Sequence, residues 1–248
     1  MASLLVFSLR TLFVVLGCAM VATLIYTISV DGLPFRKDVL TPWMTTTLID
    51  YYINVLPLAA WVSYKEANWL TASIWVVLFV CLGSITACMY VTIQLFQLSA
   101  DKSMHDLMYH LLLPHQNKNG MVSKWKSLQL VTAIIVCSAL GCLMFGTLVY
   151  TIFTDGSPFN KDLLTPWMIA TLIDFYINVV ALSVWVAYKE PSWVRAFFWI
   201  LGLVCFGSIA TCGYMALQFF QLSPYDPIYL VLLNRQQRAE SRYDRMSG

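Results

Sequence analysis

The sequence has little charge and few histidines. Only 11% of its 248 residues are charged, whereas soluble domains carry about 25%. Hydrophobic residues make up 59%, and the mean hydropathy is +0.71. This composition excludes an ordinary soluble domain and predicts an integral membrane protein. The net charge of +2 and the lack of a basic stripe predict no nucleic-acid partner.

Motifs for metal or cofactor chemistry are also missing from the sequence. It has no glycine-rich phosphate loop, nucleophile elbow or zinc motif, and none of its seven cysteines has a C-x-x-C spacing. Cys81, Ser84 and Cys88 share a helix face and recur as Cys205, Ser208 and Cys212, which indicates close helix packing. We therefore expect no metal and no cofactor, and we lean against an enzyme.

Long apolar runs are abundant instead, and six of them could cross about 30 Å of hydrocarbon. The runs are Thr11–Val30, Thr41–Tyr64, Trp69–Leu98, Leu128–Phe153, Thr165–Tyr188 and Trp193–Leu222. The sequence therefore predicts an all-α membrane protein with six transmembrane helices.

The two halves of the chain repeat each other at an offset of 124 residues, from Gly17 to Leu98 without a gap. DGLPFRKDVLTPWM matches DGSPFNKDLLTPWM, and VCLGSITAC matches VCFGSIATC. With three spans in each copy, the second copy would enter the membrane upside down. The expected fold is thus two inverted-topology three-helix repeats.

This organisation divides the chain into four parts. Residues 1–114 and 125–234 form the repeats, each ending in a short amphipathic tail that we expect at the membrane interface. Residues 115–124 form a polar linker, and residues 235–248 form a polar C-terminal tail of mixed charge that we expect to be solvated.

The loop before the second helix of each copy carries local signals. Gly32 and Gly156 suit the left-handed residue that ends a helix. Thr41-Pro42, repeated as Thr165-Pro166, suits a helix cap followed by proline at the first helical position. These positions predict two helix starts.

A polar stripe runs along the second helix of each copy. At 100° per residue, Trp43, Thr47, Asp50, Asn54 and Trp61 fall on one face, and all five recur in the second copy, as Trp167, Thr171, Asp174, Asn178 and Trp185. Most differences between the copies fall on the opposite face. The shared face is therefore predicted to point inward and the variable face toward lipid.

Depth along the helices suggests a site around this stripe. At 1.5 Å per residue, Asp50 lies about 13 Å from the end where its helix begins, and Thr23 and Tyr90 reach similar depths. In the inverted arrangement the counterparts Asp174, Thr147 and Tyr214 would form the same cluster from the other face. An acidic residue near the bilayer centre is by default a functional-site hypothesis. The predicted proton, cation or solute site comprises Asp50, Asp174, Asn54, Asn178, Thr47, Thr171, Tyr90, Tyr214, Thr23 and Thr147.

The motifs TPWM-x-x-TLID-[FY]-YINV and WV-x-YKE resemble those of plant multi-pass membrane proteins grouped as a domain of unknown function. The resemblance covers most of both halves. It implies no activity, substrate or cofactor.

The leading hypothesis is a transporter or channel for a small solute or ion, with the lipid bilayer as its other partner. One alternative is a structural or assembly membrane protein whose polar stripe only packs helices. Another is an intramembrane isomerase or cyclase that acts on a lipidic substrate through a buried carboxylic acid. The sequence leaves open the substrate, compartment, orientation of the termini and oligomeric state.

Overall fold

The computed structural model describes residues 2–34, 36, 39–66, 68–97, 111–112, 126–157, 163–223 and 226–247. Within these ranges every regular element is helical, as predicted. The α-helices are α1 (Ala2–Asp31), α2 (Pro42–Lys65), α3 (Trp69–Leu82), α4 (Ser84–Gln97), α5 (Lys126–Asp155), α6 (Pro166–Lys189), α7 (Trp193–Phe206), α8 (Ser208–Phe220) and α9 (Arg235–Ser247). A 3₁₀ helix covers Ile228–Leu232.

The predicted helix ends before α2 and α6 are confirmed. Gly32 and Gly156 have φ of 71° and 77°, a left-handed conformation in which glycine has no steric penalty. The Thr41 hydroxyl caps α2 by accepting from the Met44 N–H at 3.1 Å. Thr165 caps α6 in the same way through Met168, at 3.2 Å. Each cap satisfies one of the backbone donors that a helix start leaves unpaired.

Among the described residues, three helical segments are long and apolar enough to cross a membrane: Val6–Asp31, Gln129–Asp155 and Pro166–Lys189. Helix α2 has the same length as α6, 24 residues, but it is less apolar. The predicted spans of the first and second helices of each copy therefore correspond to single long helices.

The third predicted span, Trp69–Leu98, is not one helix. It breaks at Gly83, which has a φ of 56°, into two helices of 14 residues each. The rings of Trp75 and Tyr90 lie 4.9 Å apart between centroids, although a continuous helix would separate them by about 22 Å. Helices α3 and α4 thus form a hairpin, in which the chain turns back at Gly83.

The sixth predicted span, Trp193–Leu222, is broken in the same way. Gly207 has a φ of 52° between α7 and α8, and the rings of Trp199 and Tyr214 lie 4.9 Å apart. A 14-residue helix is only about 21 Å long, shorter than the hydrocarbon of a bilayer. The prediction that each copy makes three complete passes is therefore wrong.

The chain divides into two compact units. Unit 1 comprises Met1–His115 and Gly146–Val179, and unit 2 comprises Gln116–Phe145 and Val180–Gly248. Unit 1 therefore joins the first copy of the repeat to the part of the second copy around the α5–α6 connection.

Contacts inside unit 1 show the relative direction of the two copies. The hydroxyl groups of Thr46 on α2 and Thr151 on α5 lie 2.7 Å apart. The indole N–H of Trp167, at the start of α6, donates to the Gly32 carbonyl at the end of α1, at 3.2 Å. Val39, Trp43, Met44, Trp167 and Met168 form one buried cluster. Helices α2 and α6 thus begin at the same end of the unit.

The inverted-topology prediction is therefore wrong. Its premise was three passes in each copy, and the α3–α4 hairpin removes that premise because it returns the chain to the end from which it entered. The Tyr90 hydroxyl on the returning arm donates to Glu66, just before α3, at 2.8 Å. Within unit 1, the equivalent helices α2 and α6 therefore begin at the same end, which an inverted pair would not allow.

The C-terminal segment is helical, and two residues of its first turn are buried. Gln237 and Arg238 are only 2% and 6% exposed. The Arg238 guanidinium donates to the carbonyls of Leu230 and Leu233, at 2.7 and 3.2 Å. The expectation of a solvated tail therefore fails at this turn. The linker 115–124 and most of the first amphipathic tail lie outside the described residues.

Candidate functional site

The tip of the α3–α4 hairpin carries a carboxylate from the second copy of the repeat. Asp174 on α6 accepts a hydrogen bond from the Ser84 N–H at 2.8 Å through Oδ1. Ser84 is the first residue of α4, where backbone N–H groups have no partner within the helix and the helix dipole is positive. Asp174 therefore caps α4 in place of a side chain from the α4 segment itself.

Gly83 makes this contact possible in two ways. Its φ of 56° is a backbone conformation that side chains other than glycine rarely adopt. A Cβ atom at this position would also clash with the Tyr51 hydroxyl and the Asp174 carboxylate. The glycine thus allows both the sharp turn and the close approach of α2 and α6.

Several polar atoms around this carboxylate are buried without a well-formed hydrogen bond. Among the described residues, the Tyr51 hydroxyl, the Ser84 hydroxyl and the Asn178 carbonyl oxygen make no hydrogen bond of standard geometry, although both hydroxyl groups face the Asp174 carboxylate. Asn178 itself is fully buried and donates to the Asp174 backbone carbonyl at 3.2 Å. Such atoms are rare in folded proteins, because leaving one unpaired costs about 1–3 kcal/mol. The site thus has spare capacity to donate and accept hydrogen bonds.

Of the residues predicted from the sequence, Asp174 and Asn178 meet at this site. Asn54, the counterpart of Asn178, is also fully buried, and Asp50 is half-buried on α2. These burials agree with an inward polar stripe, as does the exposure of Ala60 on the opposite face.

Three of the four predicted threonines donate their hydroxyl hydrogen within their own helix. Thr47 and Thr171 donate to the carbonyls one turn earlier on their own helices, both at 2.9 Å. Thr23 does the same, and its hydroxyl is exposed. Thr147 is half-buried on α5, and its carbonyl accepts from the Thr151 hydroxyl at 3.0 Å.

The two predicted tyrosines lie at a different level of the structure. Tyr90 donates to Glu66, and Tyr214 donates to Glu190 at 3.0 Å. Both tyrosines are on the returning arm of a hairpin, close to where the hairpin begins. Their depth was predicted from an unbroken third helix, and the hairpin places them near the opposite end. The predicted cluster of Asp50, Thr23 and Tyr90 is therefore not formed.

A known protein family matches nearly the whole chain, over residues 1–239. The family model described as "Protein of unknown function (DUF1475)" matches residues 1–119 and matches again over residues 116–239. The chain belongs to the DUF1475 family. No curated protein matches it significantly. No solved structure does so either.

The double match confirms the internal duplication of the DUF1475 chain, and it confirms the resemblance to a family of unknown function. It says nothing about plant origin, which stays a prediction. The family carries no activity that could be transferred to Asp174 or to any other residue. The function must therefore be argued from the site.

Sequence reasoning missed three members of this DUF1475 site: Gly83, Ser84 and Tyr51. A signal for the first two was present, because Gly83-Ser84 recurs as Gly207-Ser208 in the middle of an apolar run. Tyr51 gave no such signal, since its counterpart in the second copy is Phe175.

Cys88 and Cys212 pack closely against another helix, as predicted, but Cys81 and Cys205 are exposed on the other arm of each hairpin, so the predicted shared face is not formed. A Cβ atom on Gly17 of α1 would lie 3.2 Å from the Cys88 Cβ of α4. In unit 2, a Cβ atom on Gly141 would lie 3.3 Å from the Cys212 Cβ. Small side chains let helix backbones approach in this way in an apolar environment. These contacts hold each returning arm against the first helix of its copy.

Proposed function

We propose that this protein is a multi-pass membrane protein that transports a small solute or ion, with a proton or cation bound at Asp174. The observation that supports it is the Asp174 carboxylate on the N-terminus of α4, at the tip of a hairpin and beside buried polar atoms that make no hydrogen bond of standard geometry.

In this proposal α1, α2, α5 and α6 cross the membrane. Each hairpin enters the membrane and leaves it on the side from which that hairpin entered. The outer face of α3 supports a lipid contact, since it exposes large apolar side chains. These are Trp69, Leu70, Ile74, Val77 and Val80, each more than half exposed. Such an apolar surface is unusual in a protein surrounded by water.

The depth of the site agrees with a membrane position. Asp174 lies about 12 Å along α6 from the start of that helix, and the tip of α3 lies about 21 Å from the opposite end. In a hydrocarbon layer of about 30 Å, both distances place the carboxylate within a few ångströms of the midplane.

Broken helices with their ends at the membrane midplane bind the substrates and coupling ions of many secondary transporters. Here the α4 N-terminus stabilises the ionised carboxylate of Asp174. A proton or cation bound to the carboxylate would weaken this interaction, and so would favour movement of the hairpin. Solute polar groups would bind Tyr51, Ser84 and Asn178. On the basis of the repeat alone, we include Asp50 and Asn54 as the corresponding positions of the first copy.

Reconstitution tests this proposal directly. Liposomes containing the protein and a trapped pH dye, or a dye for Na⁺ or K⁺, should show flux above that of empty liposomes under an imposed gradient. Asp174→Asn should reduce the flux at least tenfold. Asp155→Asn, which changes an exposed acid at the end of α5, should not reduce it. If no tested ion gives flux above empty liposomes, the proposal is wrong.

A second candidate function is structural, as a membrane protein in which the polar stripe only joins helices. It is favoured by the same hydrogen bond, because Asp174 already has a backbone partner in Ser84 and serves as a helix cap. Under this reading, Asp174→Asn would change stability and leave every flux at the empty-liposome level.

A further inference from the structure

A small cavity in unit 2 is lined by the ends of four helices, and three of them contribute basic side chains. It lies where α6 ends, α7 begins, α8 ends and α9 begins. The lining residues are Lys189, Glu190, Pro191, Arg195, Gln218, Gln221, Leu233, Arg235 and Arg238. Four of these residues are basic and one is acidic, so the cavity has a marked excess of positive charge.

The one acidic residue of the cavity is already used by other groups. Glu190 Oε1 accepts from the Tyr214 hydroxyl at 3.0 Å and from the Gln218 amide at 3.3 Å. Its other oxygen, Oε2, lies 3.7 Å from Arg195 Nε. Glu190 therefore neutralises at most one of the four basic side chains.

Lys189 is the most unusual of these basic residues. It is 4% exposed, and its Nζ has no hydrogen-bond partner among the described residues. The ammonium group lies 4.7 Å from the centre of the Trp185 ring, which is a cation–π contact. A ring face satisfies none of the three N–H donors, and burying an unpaired ammonium is costly. An anion in the cavity would remove that cost.

The corresponding position of the first copy is satisfied within the protein. Lys65, which aligns with Lys189, donates to the Leu111 carbonyl. Thr71 stands where the second copy has Arg195. The unsatisfied lysine and the additional arginine therefore occur together, in the second copy.

The other two arginines of the cavity have different roles. Arg238 is held rigidly, because it donates to the Leu230 carbonyl and, at 3.1 Å, to Gln218 Oε1. Arg235 is exposed at the mouth of the cavity, as is the side chain of Arg195, which is 55% exposed. Buried basic groups with exposed guanidinium groups at the entrance suit a tetrahedral oxyanion, which accepts several charge-assisted hydrogen bonds.

We propose that this cavity binds a phosphate group through Lys189 and Arg195, with Arg235 at the entrance. The group comes from a lipid headgroup or from free phosphate, since both present the same oxygens. This site is separate from Asp174 and does not depend on the proposed transport.

The first test uses the purified full-length protein in detergent and titrates inorganic phosphate at constant ionic strength, with chloride as the control anion. Phosphate should raise the thermal unfolding midpoint, and chloride should not. A second arm replaces phosphate with nanodiscs of phosphatidylcholine that contain or lack phosphatidic acid. Stabilisation by phosphate identifies a site for free phosphate. Stabilisation by phosphatidic acid alone identifies a lipid site.

Matched variants complete the test. Lys189→Gln should weaken the response at least tenfold, whereas Lys65→Gln in the first copy should leave it unchanged. Arg195→Thr, which introduces the residue of the first copy at an exposed position, should weaken binding several-fold without unfolding the protein. Failure of both phosphate and phosphatidic acid to stabilise the wild type would overturn the proposal. A response of the Lys189→Gln and Arg195→Thr variants equal to that of the wild type would also overturn it.

Discussion

The hydroxyl groups of Thr46 and Thr151 lie 2.7 Å apart, one near the start of α2 and the other near the end of α5. Thr46 corresponds to Ala170 on α6 in the second copy, and Thr151 corresponds to Thr27 on α1 in the first copy. Two antiparallel copies would hold Thr46 and Thr151 near opposite ends of the bundle, about 20 Å apart. Their contact therefore requires the start of α2 and the end of α5 to lie at the same end of unit 1.

This arrangement makes a prediction about topology. Leu33→Cys and Ser157→Cys, each made as the sole cysteine, should react with an impermeant thiol reagent from the same side of the membrane. Both positions are exposed, and each directly follows one of the glycines that end α1 and α5. Reaction from opposite sides would restore the inverted arrangement and contradict the hairpin.

Gly83→Ala should destabilise the protein more than Gly32→Ala. Both glycines have a positive φ, so each substitution has a backbone cost of about 1 kcal/mol. A Cβ atom on Gly32 meets nothing within 4 Å, whereas one on Gly83 clashes with Tyr51 and Asp174. Thermal unfolding in detergent measures the difference. Similar midpoints for the two variants would show that the hairpin tip is not tightly packed.

Substitution of Asp174 should separate its charge from its hydrogen bond. Asp174→Asn keeps an acceptor for the Ser84 N–H and loses a charge–dipole interaction of about 0.3–1 kcal/mol. Asp174→Leu leaves that donor unpaired, at a cost of about 1–3 kcal/mol. Denaturant titrations should therefore rank the leucine variant as the less stable. The reverse order would mean that burying a polar side chain at this position costs more than its hydrogen bond with the Ser84 N–H contributes.

Tyr51→Phe should leave the stability unchanged or raise it by up to about 1 kcal/mol, because the hydroxyl that it removes is buried without a hydrogen bond of standard geometry. Phe175 occupies the same position of the second copy and is equally buried, at 5%. Tyr90→Phe is the matched control, and it should lower stability by about 1–2 kcal/mol since the Tyr90 hydroxyl binds Glu66. Equal losses in both variants would indicate that Tyr51 makes a stabilising contact. If transport is observed, Tyr51→Phe should reduce it.

Much of the fold could be predicted from local sequence. The apolar runs predict helices, and Thr41, Pro42 and Gly32 fix helix boundaries through contacts within a few residues. The duplication indicates the inward face of α2, because most of the positions that differ between the copies, such as 45/169 and 60/184, are not buried. The burial of Asn54 and Asn178 confirms that face.

The hairpins could not be predicted from hydrophobicity, because a run of apolar residues reads the same whether the helix continues or turns back. Gly83 is the only local sign of the turn in its copy, and a glycine inside an apolar helix is common in membrane proteins. One wrong assumption about Gly83 then reversed the predicted direction of the second copy and misplaced Tyr90.

The sequence by itself determined the helical class, the duplication and the polar face that carries Asp174. Only the tertiary structure decided what Asp174 meets. Its partner, the Ser84 N–H, is a backbone group that becomes available when Gly83 breaks the helix. A backbone donor has no sequence signature, and its position depends on how α2, α4 and α6 pack. The chemistry of the site therefore depends on contacts between segments far apart in the chain.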